Sequence, residues 1–359
     1  MRQISVPGQA LRADLIRLLR PLGVREADAA AVADALIQAE QWGVASHGVM
    51  RVERYVRCLR SGGIRADAPF ERIRQHGGWV LATANGGLGI PASMRAAELA
   101  VSLAREYGVG AVSVRESHHN GAEGVYSSYM AGQGMLGLAM STGNAIMAAA
   151  GGAEAVIGNN PFSYAAPAGR YGTVMMDAAM SAVADGKVQL ARAAGRQLEP
   201  GCILDAGGRP STSPEDYFNG GVLLPFGAHK GYGLAVMVEC LAGILSGAAL
   251  TTEIDSWNER PDRSGGTGHL LLAFDISGIM PPEAFDRRME QLIARLKGSR
   301  RAEGVQEIYF PGELEQRRQK EAGGRVLLAP PAAEALRRAA SHAGVVLQCL
   351  PEKEGWDGY

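Results

Sequence analysis

Residues 79–92 read Trp79-Val80-Leu81-Ala82-Thr83-Ala84-Asn85-Gly86-Gly87-Leu88-Gly89-Ile90-Pro91-Ala92. The fold turns on whether this stretch is a dinucleotide-binding turn. Trp79 to Thr83 has the length and β-prone composition of a strand. Gly87 to Ala92 satisfies G-x-G-x-x-A, and Met94 to Tyr107 reads as the following helix. Glu116, about 25 residues further on at the end of the next strand, stands where a ribose-binding acid belongs in a Rossmann unit. Short glycine patterns arise easily, however, in a chain carrying 48 glycines. We read the stretch as a plain strand–turn–helix corner with Pro91 near the first helical position, where a missing N–H costs little. Two observations weigh for this reading. The other chemistry-bearing motifs lie far downstream, and after residue 140 strands and helices do not alternate at crossover spacing.

Upstream of this corner the chain reads as helical. Ala10 to Leu19 carries Leu11, Leu15, Leu18 and Leu19 at helical spacing, and Pro21 with Gly23 ends it. Glu26 to Trp42 is Ala-rich with one apolar face. Val49 to Leu59 forms a third helix that stops at Gly62-Gly63, with Ser46 expected as its N-cap. Downstream, Gly110 to Val114, Met135 to Met140, Thr173 to Met176, Val222 to Leu224 and His269 to Asp275 are strand candidates. Gly124 to Gln133, Tyr232 to Leu245, Pro282 to Lys297 and Ala332 to His342 are helices. Arg295 to Arg301 reads as a solvated basic face, and Pro351 to Tyr359 as a polar, mobile tail.

Thirty-six Lys and Arg against 37 Asp and Glu leave a net charge of -1, which argues against nucleic acid as a partner. Cys58, Cys202, Cys240 and Cys349 form no CxxC pair, and reduced thiols in a cytoplasm are expected. No secretory signal is visible. Tyr232 to Leu250 is apolar enough to be weighed as a membrane span. Glu239 in mid-span and three interrupting glycines make a buried helix the better reading.

Ser46-His47-Gly48 with Arg51 is the strongest candidate pair. Reducing C=O or C=N beside a carboxylate needs a hydride, a proton and a clamp on the acid. Histidine titrates near neutrality and can hand over the proton. Arginine forks onto a carboxylate, and a spacing of four places both on one helix face. A core histidine beside a surface arginine stays open on this pair alone. His118-His119 invites a metal reading. Neighbours at a strand end point opposite ways, so a shared ion is not expected and no metal is assigned; His119 is a second acid/base or orienting candidate. His229-Lys230-Gly231 precedes an apolar helix and is not a P-loop; its lysine either meets a phosphate or ribose or caps a turn. Asp177, after Val174-Met175-Met176, either borders room for a ribose or flat ring or caps the next turn.

Taken together, these motifs resemble the malate/L-lactate dehydrogenase-like family of NAD(P)H-dependent oxidoreductases, which is distinct from the Rossmann lactate and malate dehydrogenases. The family includes ureidoglycolate dehydrogenase, 2,3-diketogulonate reductase, sulfolactate dehydrogenase and the Δ1-piperideine-2-carboxylate/Δ1-pyrroline-2-carboxylate reductases. The resemblance runs from about Leu15 to about Glu313. It makes His47 the proton donor, with Ser46 and Arg51 beside it, and aligns His119 with the family's later histidine. It assigns the cofactor to Ser141, to Asn160 of Gly158-Asn159-Asn160-Pro161, and to Met175, Met176, Asp177, Ala178, Ala179 and Ser181. It adds His229, Lys230 and Gly231, and Pro311, Gly312 and Glu313. Glu116, Asn120, Glu123 and Asn144-Ala145 depart from the family pattern and are expected to cluster around the substrate.

The resemblance implies a non-Rossmann α/β domain (71–280) with a largely antiparallel sheet. A helical domain is built from both chain ends, 1–70 and 281–359. It further implies an intertwined homodimer, no metal, and NAD(P)H as cofactor with NADP slightly favoured. The expected enzyme is a cytoplasmic reductase of a small 2-oxo acid or cyclic 2-imino acid. The alternatives are a 2-hydroxy-acid dehydrogenase of the malate, lactate or ureidoglycolate type and a cofactor-binding relative without turnover.

Overall fold

The structure is a computed structural model that describes residues 3–350. The expected tail at 351–359 lies outside the described residues.

The N-terminal helices form where the apolar spacing places them. Glu26–Trp42 opens with Glu26 and Asp28 against the positive end of the helix and closes on Gly43 at φ 81°. It buries Ala29, Val32, Ala33, Leu36 and Ala39. Gly8–Leu19 and Val52–Ser61 pack with it, and Pro330–Ala343 from the far end of the chain lies on Val52–Ser61. A two-stranded pairing of Ile4–Pro7 with Arg325–Leu328, unread in the sequence, ties the two ends together. Pro282–Lys297 instead lies against the Gly169–Tyr171 turn, where Ile293 joins Val174 and Phe310 in a small core.

A seven-stranded sheet runs Glu71–His76, Trp79–Thr83, Val109–Ser117, Thr267–Asp275, Met135–Ser141, Phe162–Pro167, Thr173–Ala178. Trp79–Thr83 pairs with Val109–Ser117 in parallel. Every other pairing in this sheet is antiparallel. A Rossmann sheet is mostly parallel, so the expectation of a non-Rossmann, largely antiparallel α/β fold holds. The single parallel pair, bridged by the Gly89–Tyr107 helix, is a lone βαβ unit, which explains why residues 87–92 mimic the fingerprint. A Cβ on Gly89 would stand 1.9 Å from the His118 carbonyl oxygen. That glycine therefore lets two backbones cross. Five short strands, Pro210–Ser211, Ile203–Leu204, Val222–Leu223, Met147–Ala148 and Ala155–Ile157, form a second sheet with its own core.

Several expectations are corrected. The helix expected from Met94 begins at Gly89, because the glycine–proline stretch is already helical. The third helix begins at Val52, behind a 3-10 turn at Val49–Arg51. The segment expected as one buried helix is His229–Val238 followed by a π-helical Glu239–Ile244. It is buried on one face, whereas Leu234, Val236, Ile244 and Leu245 stand 40, 37, 58 and 52% exposed. In the basic run, Lys297 is not simply solvated but bonds Glu307 and Glu313. Among the described residues, no helix is long and apolar enough to cross a membrane. The four cysteines are unpaired.

Candidate active site

The site is built on the sharp turn after Gly43. Ala45–His47 and Val49–Arg51 are successive 3-10 turns separated by Gly48. Glu40, inside the preceding helix, accepts the Val49 N–H at 2.9 Å and so locks the second turn to the first helix. A Cβ on Gly48 would come within 2.4 Å of that carboxyl, so the position needs glycine. Burial pushes the Glu40 carboxyl up to about 8, against the lowering effect of the Val49 bond. Ser46 is not the N-cap expected of it; its Oγ meets His47 Nδ1 at 3.0 Å. The Arg51 side chain folds back, Nε donating to the Ser46 carbonyl at 2.6 Å. Its guanidinium is buried and lies 4.0 Å from Asp185. Asp185 is itself held by Gln189 at 2.7 Å and by the Tyr217 hydroxyl at 3.1 Å.

His47, His119 and Trp257 form a column. The two imidazoles stack at 5.8 Å with 9° between planes, and His119 stacks on the indole at 4.4 Å and 17°. His119 Nδ1 receives the Gly121 N–H at 3.3 Å and lies 2.7 Å from the Tyr55 hydroxyl. A backbone donor at Nδ1 assigns the ring proton to Nε2. His118 and His119 do not diverge as a strand end requires, because the strand stops at Ser117; both rings lie against Trp257 and both line the same cavity. His118 is 1% exposed, and neither of its ring nitrogens has a partner. Thr267 Oγ1 in the same wall is also buried and unpartnered. Burial draws His47 down to about 3, with Arg51 adding to the shift. Burial also draws His118 down to about 4.

Two spaces meet at this column. A small cavity of about 100 Å³ is walled by His47, Arg51, His118, His119, Ser141, Trp257 and Thr267, among others. A cleft of about 680 Å³ runs along 42–47, 175–179 and 309–312. His47, Gly121, Asn159 and Pro161 belong to both walls.

Met175, Met176, Asp177, Ala178, Ala179, Ser181, Pro311 and Gly312 all line the long cleft. Gly312, at φ 88°, lies flat on the Met175 backbone, where a Cβ would come to 2.9 Å from the Met175 nitrogen; the Met175 N–H bonds the Pro311 carbonyl at 3.0 Å. Asp177 accepts the Gly124 N–H at 2.8 Å, and burial pushes its carboxyl up to about 6. Ser141 faces the small cavity, its Oγ 2.9 Å from His269, which also reaches Ser117 at 2.8 Å. Asn160 is fully buried and bonds Glu239 and the Ala235 carbonyl, while Asn159 takes the cavity wall. Glu313 sits behind the Pro311-Gly312 turn, paired with Lys297 at 2.6 Å and Arg317 at 2.7 Å. His229 and Lys230 are exposed and line neither space. Gly231 packs on the Phe226 and Met180 carbonyls, bracing the helix start against the 177–181 segment.

Of the four departures, Asn120 and Asn144 line the small cavity and Glu123 lines the cleft. Glu116 is exposed and accepts the Thr83 hydroxyl at 2.7 Å, away from both spaces, because its positive φ of 51° turns it off the strand end. The sequence reading missed Tyr55, Asp185, Trp257 and His269, and the cleft cations Lys187 and Arg318. A histidine inside an otherwise apolar strand was a usable signal for His269; the others carry none at short range. The cleft fits a dinucleotide in size, and its two basic side chains suit phosphates.

A family model described as "Malate/L-lactate dehydrogenase" matches residues 6–330. A malate dehydrogenase of Pyrococcus abyssi is 36% identical over 317 residues, covering 86% of each chain. A (2R)-3-sulfolactate dehydrogenase (NADP(+)) of Chromohalobacter salexigens is 35% identical over 322 residues, covering 90% of this chain and 94% of that one. The solved structure of a Δ1-piperideine-2-carboxylate reductase from Pseudomonas syringae superposes with a TM-score of 0.84 at 30% identity, covering 94% of this chain and all of the other.

Proposed function

The chain belongs to the malate/L-lactate dehydrogenase family and is an oxidoreductase, and within that family we propose that it moves a hydride between NAD(P)H and the α-carbon of a small carboxylic acid, reducing a 2-oxo acid or a cyclic 2-imino acid with His47 as proton donor. One observation carries this: His47 is shared by a dinucleotide-sized cleft and a small cavity whose other wall presents a buried arginine. Arg51 holds the substrate carboxylate in its fork and fixes the plane of the α-carbon. The nicotinamide supplies the hydride when bound. His47, held by Ser46 and stacked on His119, faces the heteroatom on the α-carbon and transfers the proton. The unpartnered polar atoms of His118 and Thr267 offer hydrogen bonds to the remainder of the substrate.

A second reading, oxidation of a 2-hydroxy acid of the malate, lactate or ureidoglycolate type, draws on the electrostatics. Burial and Arg51 keep the His47 ring neutral in the free enzyme. A neutral imidazole is ready to accept the hydroxyl proton, whereas reduction first requires it to be charged. A carboxylate seated on Arg51 offsets the guanidinium and raises the ring's proton affinity, which serves reduction. Lys187 and Arg318 in the cleft favour NADP, with its additional phosphate. The exposed apolar face around Ile244 and Leu245 supports a homodimer.

The test is a panel of 2-oxo, cyclic imino and 2-hydroxy acids with NAD(H) and NADP(H), read by cofactor absorbance. His47→Ala is expected to lower turnover roughly a hundredfold or more while cofactor still binds. Absence of hydride transfer to every acid, or near-normal turnover in the variant, overturns the proposal.

A further inference from the structure

We propose that Glu123 is a cofactor contact whose side chain pairs with the carboxamide of the nicotinamide ring. The inference rests on the hydride-transfer reading above.

Glu123 is 1% exposed, lies on the wall of the long cleft, and neither carboxyl oxygen has a hydrogen-bond partner. It is the first residue of the Glu123–Gly132 helix, where an acid usually serves by accepting a backbone N–H. Here that service is done by another residue: the Gly124 N–H goes to Asp177. The Asn120 amide is the polar side chain nearest to it, but its 3.1 Å hydrogen bond goes to Ser93, and the Asn120 main-chain carbonyl takes the Tyr126 hydroxyl. A buried carboxyl without partners costs stability. Its position on a cleft wall lets the occupant of the cleft supply those partners.

The position selects which part of the occupant. Hydride transfer must occur where cleft and cavity join, at the wall shared by His47 and Gly121. Glu123 is two residues beyond Gly121, and two residues span at most ~7 Å. The carboxamide is borne by the ring carbon adjacent to the one that carries the hydride, so it lies within that reach. The diphosphate offers acceptors only and would leave the carbonyl oxygen of the Glu123 carboxyl unpaired. Burial and Asp177 raise the Glu123 carboxyl well above the usual carboxylate range, against the lowering effect of the Asn120 amide, which favours the neutral acid. A neutral carboxylic acid presents one O–H donor and one carbonyl acceptor on a single edge. A primary carboxamide presents the complementary acceptor and donor.

Cofactor binding, measured without substrate by quenching of tryptophan fluorescence, tests this directly. The probes are NADH, NADPH and the analogue in which the carboxamide is replaced by an acetyl group. The intact protein should bind the analogue about tenfold more weakly than the natural dinucleotide. Glu123→Leu should bind the natural cofactor about tenfold more weakly and should no longer distinguish it from the analogue. Glu123→Gln, which keeps a donor and an acceptor, should stay within a few-fold of the parent. Unliganded Glu123→Leu should melt at the same temperature as the parent or higher, since it removes an unpartnered acid. Equal affinity of the intact protein for carboxamide and acetyl forms overturns the proposal, and this arm needs no variant. Weakening of both forms alike in Glu123→Leu also overturns it and points to a ribose or packing contact. Failure of the intact protein to bind any dinucleotide overturns the hydride-transfer reading itself.

Discussion

At the scale of single residues, the proposed proton transfer turns on the charge state of His47 in the free enzyme. Burial comes first and the Arg51 guanidinium second in drawing the ring down to about 3. The free enzyme therefore carries a neutral imidazole at every pH near neutrality. In the oxidising direction, where His47 acts as base, kcat/KM should stay level as pH falls through 6.5, an ordinary histidine value. A pH profile with its acid limb centred at 6.5 or above would show that neither burial nor Arg51 acts on the ring. Arg51 carries a second expectation. Its Nε is spent on the Ser46 carbonyl, so that on the proposed mechanism the outer nitrogens grip the substrate. Arg51→Lys keeps charge but loses both that anchor and the fork, so KM should rise about tenfold or more. The amide of a good substrate should be a poor one for the unmodified enzyme. Steady-state kinetics that show acid and amide turned over equally would place the carboxylate clamp elsewhere.

At the scale of elements, the segment 229–245 shows what a hydropathy pattern can and cannot say. Its apolar residues point two ways. Ala235, Val238 and Ala242 enter the core, while Leu234, Ile244 and Leu245 face outward. Glu239 is tolerated in the middle because its carboxylate receives the Asn160 amide at 2.7 Å and the Thr251 N–H at 3.1 Å. The outward face is too apolar for a helix meant to meet water alone. Ile244→Asp combined with Leu245→Asp alters exposed positions and leaves the core intact. It should convert a dimer to a monomer in light scattering, with circular dichroism unchanged. A native protein already monomeric at micromolar concentration, or a variant that stays dimeric, would remove this face as the interface.

At the scale of the whole molecule, the two chain ends hold one another, and Asp14 is the brace. Its Oδ2 accepts the N–H groups of Gln348 and Cys349, both at 2.8 Å, and Arg17 covers its other oxygen. Burial by itself would raise this carboxyl, but those N–H groups and Arg17 outweigh it and hold the value below the ordinary one. The stabilisation is thus complete above the unfolded carboxylate value of ~4 and is lost as pH falls through the lower folded value. Asp14→Asn should cost about 2 kcal/mol in urea unfolding at neutral pH. The difference should shrink in acid. A variant within about 0.5 kcal/mol of the parent at neutral pH would mean the brace contributes nothing.

Local pattern alone determined much of this. The helix at Glu26–Trp42, the strand at Trp79–Thr83 and the helix at Pro282–Lys297 follow from periodicity and stop signals, and their bounds in the structure coincide with the sequence reading. The segments 175–181 and 311–312, assigned to a cofactor through the resemblance, line one cleft with His47, and at Gly312 the reason is local, since its close approach to the Met175 backbone demands glycine. Pairing was not legible. The strand Phe162–Pro167, the edge strand Glu71–His76, exposed along its whole length, and the Ile4–Pro7 pairing lack a helical or alternating signature strong enough to stand out. The strand Thr267–Asp275 inserts between two strands formed more than a hundred residues earlier. That insertion brings His269 onto Ser141 and Thr267 into the cavity wall. Trp257 meets His119, and Asp185 meets Arg51, for the same reason: contacts between segments distant in sequence are chosen by how sheets and helices pack, and no short stretch of the chain records that choice.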